Sequence, residues 1–140
     1  MDGGTFIMAK VLLNDGLIYT HVSLSHKSKT IELKAALVDT GSACTVISSE
    51  IANKLGLKPL PTDIINSVQG VGGSETVIEK VIDTIILDSS TIENFHIQVG
   101  AMDYGIELEA IIGLDLLTES KAILDLNNFL LMTEFQTSKE

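Results

Sequence analysis

The segment Ala35–Ile47 reads Ala-Ala-Leu-Val-Asp-Thr-Gly-Ser-Ala-Cys-Thr-Val-Ile, with one acidic residue between two apolar runs. The residues before Asp39 form an apolar run typical of a buried strand, and a second apolar run begins at Thr45. The Asp39 carboxylate is therefore predicted to lie on a short loop between two core strands. The turn Thr40–Ser42 offers hydroxyl and backbone N–H donors, and Gly41 lacks the Cβ that would block close backbone approach. This pattern predicts a carboxylate with a chemical role.

Three segments of the chain together resemble the retropepsin-like branch of the aspartic proteases. Leu37–Ser42, Leu-Val-Asp-Thr-Gly-Ser, is similar to the catalytic signature of that family. Asn66–Glu75 resembles its glycine-rich flap, which closes over the substrate, and Ala110–Leu117 resembles the late segment that passes beneath the active-site loop. The tripeptide Asp-Thr-Gly alone occurs by chance in many proteins, but the flanking apolar runs and the late Ile-Ile-Gly-Leu-Asp make the resemblance fairly specific. It covers most of the chain, from about Ile31 to Phe135.

The resemblance implies an aspartic endopeptidase that works as a homodimer on peptide or protein substrates. Peptide hydrolysis of this kind needs two carboxylates that share one proton, and the chain carries one Asp-Thr-Gly. A second copy must supply the second carboxylate, with the two Asp39 side chains facing each other across a twofold axis. By the same resemblance, Thr40 joins the two loops, Gly41 lets backbone N–H groups reach the carboxylates, and Ser42 bonds to the outer carboxylate oxygen. The implied flap residues are Gly70, Val71, Gly72 and Gly73, and the implied loop-supporting residues are Ile111, Ile112 and Gly113.

The order of apolar runs and turns predicts an all-β protein. Asn14-Asp15-Gly16 is a strong hairpin signal between two apolar runs, and a second, longer hairpin is predicted around the glycine-rich turn. Short helices are expected after Ser48 or Ser49 and over Leu114–Glu119. Short strands at regular spacing predict a small closed or nearly closed barrel, and the resemblance makes it an acid-protease barrel with one or two short helices.

Length and charge limit the classes of function. The 140 residues fit a single domain, 1–140, with loose ends expected at 1–4 and 136–140. The formal net charge of −10 repels phosphate groups and argues against nucleic acid or an anionic membrane surface as a partner. The single cysteine, the absence of a leader-like start and the lack of a long apolar run predict a cytoplasmic location with no membrane segment in this chain.

Several alternatives to the protease interpretation remain open from the sequence. In one alternative, Asp39 only caps its own turn, and in another the glycine-rich turn is an ordinary hairpin connection. Asp115 lies at a predicted helix start, which favours a structural role, and Cys44 is expected to be a small buried hydrophobe. The three histidines lack metal-ligand spacing, so no metal or organic cofactor is expected. The rival functions are a catalytically silent dimerisation or peptide-binding module of the same fold, and a phosphoryl-transfer enzyme that uses Asp39 as nucleophile.

Overall fold

Twelve strands and two short helices make up the described part of the chain. A computed structural model describes residues 6–70, 73–102, 108–134 and 136–138. The strands are β1 Phe6–Lys10, β2 Leu12–Asn14, β3 Leu17–His26, β4 Lys29–Val38, β5 Val46–Ser48, β6 Ile64–Gly70, β7 Gly73–Leu87, β8 Ser90–Gly100, β9 Ala110–Ile112, β10 Ile123–Asp125, β11 Leu130–Glu134 and β12 Gln136–Ser138. The helices are α1 Ser49–Lys54 and α2 Leu114–Glu119.

Local sequence signals explain where several elements begin and end. The β2–β3 hairpin turns at Asp15 and Gly16, whose φ angles of 52° and 77° suit the tight turn predicted there. Helix α1 begins after Ser48, whose hydroxyl accepts a hydrogen bond from the Ile51 N–H at 3.2 Å. Gly56 follows the helix with φ +81°, a conformation that glycine adopts without the steric cost a side chain would add. The predicted hairpin and both predicted helices are confirmed.

Two sheets carry the fold. A three-stranded antiparallel sheet has the order β1-β11-β10, and the larger sheet follows the path β12-β8-β5-β9-β4-β3-β7-β6, with β2 added beside β3. A further β7–β8 pairing runs antiparallel from Ile78 opposite Val99 to Leu87 opposite Ser90. The strands therefore curve round toward one another, although the barrel is not formally closed.

The side chains that fill the interior form two apolar clusters. The main core collects mostly aliphatic residues from the strands and from the two helices, including Leu24, Ile47, Ile85 and Leu116, all of which are fully buried. A separate group, called here the second apolar cluster, contains Leu37, Val46, Val77, Met102, Leu108 and Ile111, with Leu17, Tyr19 and Val68 packed against it. This second cluster lies beside the Asp39 loop because Leu37 and Ile111 come from the strands that hold that loop.

The predicted all-β class with short helices is confirmed. At the C-terminal end, where loose residues are expected over 136–140, Gln136–Ser138 form β12 and pair in parallel with Ser90–Ile92. The residues expected to be loose at 1–4 lie outside the described part of the chain.

Candidate active site

The Asp39 loop is held between two strands by a third that comes from far along the chain. β4 ends at Val38 and β5 begins at Val46, and β9 lies between them. It pairs in parallel with β4 and antiparallel with β5. The Asp39 N–H donates to the Ile112 carbonyl at 2.9 Å, so the predicted loop-supporting segment contacts the backbone of Asp39 itself.

The turn after Asp39 folds back onto its carboxylate. The Gly41 N–H donates to Asp39 Oδ1 at 2.9 Å, and the Ser42 N–H donates to the Asp39 carbonyl at 3.1 Å. A Cβ at position 41 would lie 3.2 Å from the same Oδ1, which is tighter than ordinary van der Waals contact. The Asp39 side chain is half-buried and Thr40 is exposed. The loop thus presents a carboxylate and a neighbouring hydroxyl residue at the surface of one chain.

The Ser42 hydroxyl has a different partner from the one that the resemblance implies. Ser42 is buried, and its Oγ donates to the Cys44 carbonyl at 2.8 Å. Its one hydroxyl proton is therefore directed along the loop and away from the Asp39 carboxylate. In this structure Ser42 shapes the turn.

A second carboxylate, Asp115, braces the far end of the loop. Its Oδ1 accepts from Thr45 Oγ1 at 2.7 Å, and its Oδ2 accepts from the Thr45 N–H at 3.1 Å. Thr45 Oγ1 in turn accepts from the Gly113 N–H at 3.1 Å. Asp115 Oδ1 also accepts from the Leu116 N–H at the start of α2. These contacts occupy both carboxylate oxygens, so Asp115 has the structural role that its place at a helix start predicts.

Gly113 has no room for a side chain. A Cβ at this position would lie 2.4 Å from the Cys44 carbonyl oxygen and 2.9 Å from the Ser42 carbonyl oxygen. Both contacts are with backbone atoms, which cannot move aside without moving the Asp39 loop. The adjacent Leu114 N–H donates to the Ser42 carbonyl at 2.8 Å. The glycine of the late Ile-Ile-Gly segment is thus required by the close approach of two backbones.

The long hairpin predicted around the glycine-rich turn is present and lies over the second apolar cluster. β6 and β7 pair from Ile64 opposite Glu79 to Gly70 opposite Gly73. Val68 and the buried Val77 pack into the second apolar cluster with Leu37, two residues before Asp39. The predicted flap residues Val71 and Gly72 lie outside the described residues. The hairpin and the Asp39 loop therefore border the same apolar surface.

Cys44 is the thiol nearest in sequence to the Asp39 turn. Burial, followed by the negative charges of Asp115 and Glu79, raises the pKa of the Cys44 thiol, which keeps it protonated and weakly nucleophilic. Within the described ranges, no group of three or more His, Cys, Asp or Glu side chains is arranged to hold a metal ion.

A cavity of about 730 Å³ lies between α1 and the residues around Met102, and Asp39 is not among its lining residues.

Thr45 is the main site residue that sequence reasoning missed. It is buried and joins Asp115 to Gly113 through one hydroxyl. Its signal in the sequence is a hydroxyl residue at the start of an otherwise apolar strand, six residues after Asp39. That signal is weak because threonine is common in strands.

The geometry and the comparisons with known proteins agree on the class. A family model described as aspartyl protease matches residues 23–116, which include the Asp39 loop, the β6–β7 hairpin and the Ile111–Gly113 segment. The chain belongs to this aspartyl protease family. No curated protein matches the chain.

A solved structure shows the same fold. The crystal structure of a retropepsin-like aspartic protease from Rickettsia conorii superposes with a TM-score of 0.65, at 21% sequence identity, over 93% of this chain and 90% of that one. The fold of this chain is therefore retropepsin-like, as the sequence resemblance implies.

Among the described residues, no helix is long and apolar enough to cross a membrane.

Proposed function

We propose that the protein is an aspartic endopeptidase whose active form is a homodimer, with Asp39 as the catalytic residue of each copy. The observation that carries this proposal is the geometry of the Asp39 loop. Its carboxylate is half-exposed and held by the Gly41 N–H, and its backbone is fixed by Ile112. A turn aspartate that only capped its own loop would not need a strand from the other end of the chain to hold it.

The proposed reaction uses two carboxylates and one water. One Asp39 carboxylate takes a proton from the water, which attacks the peptide carbonyl carbon. The other Asp39, protonated, donates its proton to the carbonyl oxygen, which gives a tetrahedral diol. The first carboxyl group then donates the proton that it took to the amide nitrogen as the C–N bond breaks, and the second takes back a proton from the diol as the new carboxyl group forms. In the described part of this chain, no second carboxylate hydrogen-bonds to Asp39, and Asp115 is fully engaged with Thr45 and Leu116. The missing carboxylate is therefore assigned to a second copy.

Exposure at the loop supports dimerisation there. Thr40 is exposed beside the half-buried Asp39, so both are free to meet their symmetry mates. We assign to Thr40 the role of joining the two loops and to Gly41 the role of holding the carboxylate through its N–H.

The proposed substrate lies between the Asp39 loop and the β6–β7 hairpin, which acts as the flap. The second apolar cluster reaches both, through Leu37 on one side and Val68 on the other. An extended peptide between them can place apolar side chains against this cluster. The net charge of −10 adds a weak preference for basic peptides, screened at cellular salt.

The test is cleavage of an unfolded protein at about pH 5 by the parent and by Asp39→Asn. The variant keeps the size of the side chain and an acceptor for the Gly41 N–H, so it should fold and dimerise. We expect cleavage to fall by at least about 10²-fold, the low end of general acid–base contributions. Equal cleavage by both proteins would remove the protease assignment. A dimeric parent that binds peptides without cleaving them would indicate the catalytically silent module.

A further inference from the structure

The half of the β6–β7 hairpin nearest its turn leaves the main sheet. The ladder between β7 and β8 ends with Ile78 opposite Val99, whereas the ladder between β6 and β7 continues to Gly70 opposite Gly73. Among the strands of the described residues, β6 is therefore the one partner of residues 73–77. A two-stranded hairpin is marginally stable by itself, so the position of this part depends on contacts that its side chains make with the rest of the molecule.

Glu75 makes such a contact. It lies in the two-stranded part of the hairpin, and its Oε2 accepts a hydrogen bond from the Met102 N–H at 2.8 Å. The Glu75 side chain passes next to Gly100, the last residue of β8. A Cβ at position 100 would lie 2.6 Å from the same Oε2. The absence of a side chain at Gly100 thus opens the space that the Glu75 carboxylate occupies.

The residue at the other end of this hydrogen bond belongs to the surface beside Asp39. Met102 is 4% exposed and packs in the second apolar cluster with Leu37 and Ile111. Its φ of +56° is uncommon for a residue with a long side chain, so its backbone orientation must be held by its surroundings. A carboxylate that accepts its N–H is one such restraint.

We propose that Glu75 is a positioning residue for peptide cleavage. Through its contact with the Gly100–Met102 backbone, Glu75 holds the hairpin at a fixed distance from the Asp39 loop. The kinetic effect of Glu75 rests on the proposed protease function, whereas its role in holding the hairpin does not. When the hydrogen bond is absent, the two-stranded half of the hairpin moves more freely, and peptide binding must order it. Removal of the hydrogen bond should therefore mainly raise KM, because Glu75 does not contact the reacting atoms.

The first test is hydrogen exchange of the intact protein. In Glu75→Ala, we expect the Met102 amide to exchange about tenfold faster or more, which corresponds to the loss of a hydrogen bond to a charged group. Amides of residues 73–77 should also exchange faster. Glu93→Ala is the matched control, because Glu93 is an exposed glutamate on β8, opposite Thr84 and away from the turn. Unchanged exchange at Met102 in Glu75→Ala overturns the proposal.

The second test is steady-state cleavage of a peptide. We expect Glu75→Ala to raise KM by about tenfold while kcat changes less than about twofold, and Glu75→Gln, which keeps an oxygen acceptor, to recover most of the loss. Gly100→Ala should act in part through the same contact, since its Cβ would lie 2.6 Å from Glu75 Oε2 and also 2.9 Å from Val77 Cγ1. The double variant should therefore lose less than the product of the two single effects. A kcat loss with unchanged KM, or fully multiplicative effects, argues against a positioning role.

The two proposals fail in different ways. A parent protein that cleaves no peptide removes the proposed function, whereas the exchange of the Met102 amide still decides whether Glu75 holds the hairpin. A parent that cleaves normally together with a Glu75→Ala variant of unchanged KM removes the positioning role and leaves the protease assignment intact.

Discussion

At the Asp39 loop, single polar atoms determine whether the backbone can hold its shape. Asp115 is the acceptor for both the N–H and the hydroxyl of Thr45, and Thr45 is 1% exposed. Without the carboxylate, the N–H and the hydroxyl of the buried Thr45 lose their acceptor. The penalty for an unsatisfied buried donor is about 1–3 kcal/mol.

We therefore expect Asp115→Ala to lower the free energy of unfolding by about 2–4 kcal/mol and to reduce cleavage as well. Asp115→Asn keeps one oxygen acceptor and should lose less than half as much. Urea unfolding followed by circular dichroism measures both variants. Equal stability of Asp115→Ala and the parent would show that the Thr45 contacts contribute nothing.

At Gly113, an added side-chain atom is expected to destabilise the fold, whereas at Asp115 it is the removal of side-chain atoms that does so. In Gly113→Ala, the Cβ would approach the Cys44 carbonyl oxygen to 2.4 Å, so the Asp39 loop must move. We expect a destabilisation of about 1–3 kcal/mol or more and a marked loss of cleavage. Thermal unfolding and peptide cleavage measure the two effects. A stable and fully active Gly113→Ala protein would contradict the packing described here.

The sequence predicts the local parts of this site better than the long-range ones. The Asp39 turn, the need for Gly41 and the support from Ile112 follow from patterns within a few residues or from the resemblance. The partner of Ser42 and the part played by Thr45 do not. Thr45 and Asp115 are 70 residues apart, and only the pairing of β9 with β4 and β5 brings them together. Side-chain hydrogen bonds of this kind depend on the register between strands, which no local pattern fixes.

Among the elements, the β6–β7 hairpin is joined to β8 by a cluster of polar side chains. Glu79 accepts from Asn66 Nδ2 at 3.1 Å and contacts His96 Nδ1 at 2.7 Å. Asn66 also donates to Gln98 on β8 at 3.0 Å. The hydrogen bond from His96, with further ones from Asn66 and Gln98, holds the pKa of Glu79 below its usual range despite partial burial.

The pKa of Glu79 makes the stability of this region depend on pH in a definite direction. Because the pKa is lower in the folded than in the unfolded state, the stabilisation is complete above about pH 4.3, the ordinary value for glutamate, and is lost as the pH falls through the folded value. We expect Glu79→Gln to be less stable than the parent at neutral pH and to lose less stability on acidification. Urea unfolding over a pH series measures this, with the exposed Glu93→Gln as control. Parallel pH curves for Glu79→Gln and the parent would contradict the expectation.

Another element, β11, shows why the sequence can mislead about surfaces. The apolar content of Phe129–Glu134 predicts a strand that needs a partner chain if it lies at a sheet edge. In the structure, β11 lies between β1 and β10, and Leu131 and Thr133 are fully buried. Leu131 is therefore accounted for by packing within one chain, whereas Phe129 is 40% exposed. Periodicity predicts that a strand exists but leaves open which strands lie beside it.

At the scale of the whole molecule, the proposed dimer makes a quantitative prediction about mixtures. If each active site needs one Asp39 from each copy, a dimer that contains one Asp39→Asn chain is inactive. An equal mixture of parent and variant, allowed to exchange subunits, should then retain about one quarter of the activity of the same total amount of parent. Peptide cleavage after unfolding and refolding the mixture measures this.

An enzyme that is active as a monomer gives a different result. It would retain half of the activity in that mixture, and its activity per chain would not change on dilution. A dimer should lose specific activity when diluted below its dissociation constant. Activity of one half combined with independence from dilution would therefore exclude the dimeric mechanism.

The insertion of β9 between β4 and β5 also sets when the Asp39 loop can take its final shape during synthesis. A ribosome makes Asp39 early, but the carbonyl of Ile112 and the carboxylate of Asp115 that shape its surroundings are made much later. Contacts between such distant parts of a chain form late and slowly in folding. A growing chain that has not yet reached Ile112 therefore carries Asp39 without the contacts that hold its loop, and under the proposed function it would lack the geometry for cleavage.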